Sequence, residues 1–187
     1  RGIPVTKFDL DSEYLGTFGH YGDEDGQLVW PTAVAVDSEG QVFVSDEYLH
    51  RITGFDASGD FIDKWGVHGS EPGQPDGPAG LAFDSEDNLY VSDTMNHRVQ
   101  KFTRDGKFLM SWGSFGDGEG QLNMPWGVAL NPAGEVYVTD WRNDRVQKFT
   151  KDGQFLTGWG SSGSADGEFN HPWGITVDGE GDVYVAD

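Results

Sequence analysis

Four prolines, Pro31, Pro78, Pro125 and Pro172, stand 47 residues apart, and other positions keep the same step. Asp46, Asp93, Asp140 and Asp187 keep it, as do Phe8, Phe55, Phe102 and Phe149. Trp65, Trp112 and Trp159 also follow it, with Phe18 in the corresponding earlier place. A period of this length means that one supersecondary unit is repeated and that each unit buries its faces only by stacking on the next. The third unit divides into four short apolar runs separated by turn residues. These are "PWGVAL" (125–130), "EVYVTD" (135–140), "DRVQKF" (144–149) and "FLTGWG" (155–160), here termed strands a to d. Their alternation and β-branched content predict strands, and no segment shows helical periodicity.

Four antiparallel strands per unit predict an all-β chain of β-propeller blades. The boundaries are three full repeats at 31–77, 78–124 and 125–171, a half blade carrying strands c and d at 1–30, and a half blade carrying a and b at 172–187. The blade content is therefore about four. Three arrangements fit: a small ring closed by its own terminal strands, part of a larger ring, or an assembly joined strand to strand between copies.

The recurring "PWGVAL…GEVYVTD…NDRVQKF…" resembles the NHL repeat over essentially the whole chain. The resemblance implies a β-propeller, commonly six-bladed. The lyases of peptide-hormone amidation share the blade pattern and place zinc-binding histidines just after the strand-a proline. Here those positions are Thr32, Ala79, Trp126 and Trp173, so the lyase chemistry does not carry over. RNA-binding relatives use a basic face. This chain has 32 acidic residues against 12 basic ones and a formal charge of −20. Phosphate backbones and anionic membranes are thus expected to repel it.

Repetition separates architecture from specialisation. The pairs Asp46/Arg51, Asp93/Arg98 and Asp140/Arg145 recur at the b–c turn and are expected to be structural ion pairs or sets of backbone caps. The strand-d tryptophans and strand-c phenylalanines are expected between blades. Strand a lines the channel of a propeller, and its small or apolar residues include no acid and no histidine in any unit. With no cysteine and no phosphate loop, the chain is read as a non-enzyme without catalytic residues or a required metal or cofactor. The d–a loops carry nine carboxylates and no Lys or Arg, which leaves calcium binding open there. The five histidines are scattered over loops, and His50 and His97, which recur one residue before the arginine, read as turn residues.

The units differ mainly in their b–c loops, "EYLH", "TMNH" and "WRND". Tyr48, Met95, Trp141 and Arg142 in those loops, with Trp126 and Trp173 at the channel mouth, form the candidate binding face for a protein or small ligand. The expected function is a binding or assembly scaffold. Two alternatives stand beside it: a fragment of a propeller lyase or hydrolase whose catalytic residues lie outside this chain, and a subunit that polymerises through its terminal strands. An acidic, cysteine-free propeller of this kind resembles exported or cell-surface proteins.

Overall fold

The computed structural model describes residues 4–187. A two-stranded sheet, β1 (Val5–Phe8) and β2 (Tyr14–Phe18), comes first, followed by a short parallel pair, β3 (His20–Tyr21) and β4 (Gln27–Leu28). The first four-stranded sheet is β5 (Pro31–Val36), β6 (Val42–Asp46), β7 (Arg51–Phe55) and β8 (Phe61–Trp65). The second is β9 (Pro78–Phe83), β10 (Asn88–Asp93), β11 (Arg98–Thr103) and β12 (Phe108–Trp112). The third is β13 (Pro125–Leu130), β14 (Val136–Asp140), β15 (Arg145–Phe149) and β16 (Phe155–Trp159). A last two-stranded sheet pairs β17 (Ile175–Val177) with β18 (Val183–Val185).

Each full sheet is an antiparallel meander, the blade of a propeller. Among the described residues the two terminal sheets do not pair with one another, so the chain's own ends do not close a ring. The strand limits differ slightly from those read in the sequence. Asp144 is not the first residue of a strand, because it takes a left-handed conformation (φ 50°) that ends the single 3-10 turn Trp141–Asn143.

The cores lie between blades. Phe43 and Ile52 of the first full blade pack with Leu81, Leu89, Val91 and Phe102 of the second. Tyr90 and Val99 of the second pack with Val128, Val136, Val138 and Phe149 of the third. Each such side chain contributes on the order of 1.5–3 kcal/mol by leaving water. Trp65 sits 4.5 Å, centroid to centroid, from Phe102 of the next blade, and Trp112 sits 5.9 Å from Phe149. Among the described residues no strand c of a following blade covers Trp159, which is 37% exposed.

Neighbouring a strands approach closely at the axis. A Cβ on Gly127 would lie 2.5 Å from the Trp173 carbonyl oxygen, and one on Gly80 would overlap that of Trp126. Strand b stitches the same seam: Ser45 Oγ donates to the Ala79 carbonyl (2.6 Å) and Thr139 Oγ1 to that of Trp173 (2.9 Å). Gly127→Ala is therefore expected to cost about 1–3 kcal/mol through overpacking against backbone that cannot yield. Gly179→Ala, which meets open space, should stay within about 0.5 kcal/mol. Urea unfolding of both variants checks the contrast.

Candidate functional site

The b–c turns and d–a loops share one face, and the Asp–Arg positions tie them together. Buried Asp140 accepts hydrogen bonds from the Asn123 amide (2.6 Å), Asn143 Nδ2 (2.8 Å), Arg145 Nε (2.7 Å) and Gln147 Nε2 (3.1 Å). The outer nitrogens of Arg145 then donate to the carbonyls of Asp117, Gly118 and Gln121 in the preceding d–a loop, at 2.7–2.9 Å. Asp93 and Arg98 repeat the arrangement, with an ion pair of 2.6 Å and bonds to Ser70, Glu71 and Gln74 carbonyls.

The expected pair Asp46/Arg51 does not close. Arg51 keeps the loop bonds, to the carbonyls of Asp23, Glu24 and Gln27, while its Nε has no partner. Asp46 instead accepts from the amides of Val29, Trp30 and Leu49. The cause is local. Asn96 and Asn143, with Gln100 and Gln147, hold the carboxylate in the other blades, but Leu49 and Thr53 occupy those positions here and carry no amide. Burial pulls the Arg51 guanidinium below its usual range, and the charges of Asp46, Asp23 and Asp25 oppose this.

Beside these ties lies an aromatic patch. Trp126 and Trp173 each follow the strand-a proline of adjacent blades, which brings their rings to 4.6 Å in an edge contact. Trp141 opens the 3-10 turn after β14 and stands 5.4 Å from Trp173 and 6.3 Å from Trp126. The exposed Arg142 lays its guanidinium over the Trp141 ring at 4.7 Å. His171 makes a tilted contact with Trp141 at 4.9 Å between ring centroids and was not among the residues singled out by sequence. Its place in the d–a loop, next to Pro172 on the variable face, was the available signal.

Trp126 and Trp141 are half-buried and Trp173 is 45% exposed. The indole nitrogen of Trp141 has no partner. Both channel-mouth tryptophans also border a cavity of about 240 Å³ at the axis, lined by apolar side chains, glycines and Thr32, with no acid or histidine in its wall. Tyr48 and Met95 occupy the turn position of Arg142 in the other two blades and are exposed. Neither adds an aromatic contact to the tryptophans among the described residues.

The acidic d–a loops do not gather their carboxylates. Among the described residues, one trio of His, Asp or Glu side chains lies close enough to share an ion, and it is His50, His68 and Asp76. His50 and His97 serve as turn residues as well. Both are left-handed (φ 52° and 54°), and their Nδ1 atoms accept the amides of Gly77 and Met124.

Residues 28–55, 76–102, 122–149 and 169–187 match the NHL repeat. The chain belongs to the NHL-repeat family. No curated protein sequence matches this NHL chain. Among solved structures it is similar to virginiamycin B lyase from Staphylococcus aureus, with 15% identity and a TM-score of 0.71, covering 98% of this chain and 56% of that one. A gluconolactonase from Xanthomonas campestris gives 20% identity and a TM-score of 0.70, covering 97% and 61%. A protein of unknown function from Bacteroides thetaiotaomicron gives 25% identity and a TM-score of 0.66, covering 84% and 44%. The NHL chain thus spans about 60% or less of the length of these proteins, and what it shares with them is the propeller fold.

Proposed function

We propose that this NHL propeller is a non-enzymatic binding module whose partner docks on the tryptophan–arginine patch at the channel mouth. The observation that carries this reading is the convergence of Trp141 from one b–c turn with Trp126 and Trp173 from two strand-a positions, capped by exposed Arg142. Trp and Arg on rigid elements are the residue types that anchor binding at low entropic cost. The fitting partner is a peptide or small ligand with an aromatic or aliphatic anchor beside a carboxylate, which Arg142 would meet. The net charge of −20 disfavours nucleic acid and anionic membrane as partners. A lyase or lactonase reading draws on two of the similar structures. It would need catalytic groups other than those lining this channel, whose wall offers neither proton-transfer groups nor metal ligands. An assembly reading draws on the outer edges of β1 and β18, which pair with no strand among the described residues.

The test is selection of a displayed peptide library on the protein, followed by affinity measurement on Trp173→Ala and Arg142→Ala. Each substitution is expected to weaken the selected peptides by about tenfold or more while leaving the melting temperature within about 2 °C. Peptides that bind both variants as well as the parent would place the docking surface elsewhere and end this reading.

A further inference from the structure

The geometry points to a transition-metal site, fit for Zn²⁺, built by His50, His68 and Asp76 on the loop face of the first full blade. His50 comes from the b–c turn, and His68 and Asp76 from the d–a loop that follows, so the topology joins groups that the sequence separates. One nitrogen of each ring and one carboxylate oxygen lie within 4.8 Å of one another. Asp76 Oδ1 is 3.2 Å from His50 Nδ1, and Asp76 Oδ2 is 3.4 Å from His68 Nε2. Two ligands on a tetrahedral ion with bonds of about 2.0–2.1 Å stand about 3.4 Å apart, close to each of these two contacts, which use different oxygens of one carboxylate.

The Gly77 amide donates to His50 Nδ1 at 3.1 Å; that nitrogen has one lone pair, so a metal bound there takes the place of this hydrogen bond. Among the described residues, no hydrogen bond joins the Asp76 carboxylate to either ring, and its two oxygens face the ring nitrogens of His50 and His68 in contacts that a shared cation bridges. Glu47 stands close by, with its Cγ 3.5 Å from where a Cβ on Gly77 would be, and adds further negative potential.

The repeat supplies an internal control. In the next blade the equivalents are His97, Phe115 and Asn123, and there the histidine simply packs on Phe115, ring centroids 4.9 Å apart. The His50–His68 contact at 4.3 Å occupies the same place. Only the first full blade replaces the apolar ring by a second imidazole and the amide by a carboxylate. Imidazole ligands select zinc, copper or nickel over calcium or magnesium. Three protein ligands leave a position for water or a partner's group. The site is distinct from the strand-a positions at the channel mouth.

The experiment is calorimetric titration of the chain with Zn²⁺ in excess Mg²⁺ and Ca²⁺, together with histidine imidazole NMR. One equivalent is expected to bind, shifting the His50 and His68 resonances and leaving those of His20, His97 and His171 in place. His68→Phe and Asp76→Asn install the residues of the next blade, so both should fold, and each should weaken zinc by at least about tenfold. His50→Asn keeps a left-handed residue with an acceptor for the Gly77 amide and should do the same, whereas His97→Asn should change nothing. No uptake of zinc, or uptake that survives His68→Phe and Asp76→Asn, overturns the proposal. Should a variant unfold, the resonances of the parent protein decide alone: unmoved His50 and His68 signals refute the site.

Discussion

Asp140→Ala is expected to destabilise the protein by about 3–5 kcal/mol, the range for removing one partner of a buried charge pair. The carboxylate is fully buried and accepts from one backbone amide, two side-chain amides and the Arg145 guanidinium. Alanine removes the acceptor those donors share, and each buried group without a partner costs about 1–3 kcal/mol. Arg145 loses its charge partner while still held by three carbonyls of the d–a loop. The loop at 114–122 should consequently exchange its amide protons faster, which hydrogen exchange reads independently of global unfolding. Asp187 occupies the same repeat position but is exposed, with one bond to the Asn170 amide. Asp187→Ala should cost about 1 kcal/mol or less. Chemical denaturation of the two variants tests the difference. A cost near 1 kcal/mol for Asp140→Ala as well would mean that the cluster is solvated, and its role as the tie between turn and loop would fail.

What the sequence disclosed was whatever recurs. The 47-residue step disclosed the all-β fold of four-stranded antiparallel units, and the apolar strand-a residues announced the close approach that Gly80 and Gly127 permit. The destination of the arginines was hidden, because their partners are main-chain carbonyls of the d–a loop, and any sequence supplies those. The failure at Asp46/Arg51 was written in the chain, in Leu49 and Thr53 standing where the other blades have Asn and Gln. Its meaning appears only once those amides are seen to hold the carboxylate. The tryptophan patch was legible in its members and not in its extent. Trp126, Trp141, Arg142 and Trp173 meet, whereas Tyr48 and Met95, identical in repeat position to Arg142, lie on blades that carry Thr32 and Ala79 after the strand-a proline where the later ones carry tryptophan. His50, His68 and Asp76 escaped because periodicity draws attention to what repeats, and this trio occurs once.

Phe102→Ala should be among the most damaging substitutions, at about 3–5 kcal/mol. The ring is 1% exposed and lies between blades, 4.5 Å from Trp65 of the preceding blade and 6.0 Å from Phe108 of its own. Phe8 holds the same repeat position on the terminal half blade and is 57% exposed, so Phe8→Ala should stay within about 0.5 kcal/mol. Identical chemistry at one repeat position thus predicts opposite outcomes, decided by whether a neighbouring blade covers the ring. Combining Phe102→Ala with Trp65→Ala measures the coupling directly, and a favourable pair of this geometry should give about 0.5–1.5 kcal/mol beyond additivity. The coupling also bears on the candidate binding face. Blades bound through such contacts unfold as one unit and hold Trp126 and Trp173 in fixed relation, whereas weakly coupled blades melt in steps, as expected of a chain of nearest neighbours. Additive costs for the two substitutions, with a stepwise transition, would show that the blades are not rigidly joined, and a patch assembled across two of them would then lose the preorganisation on which its affinity depends.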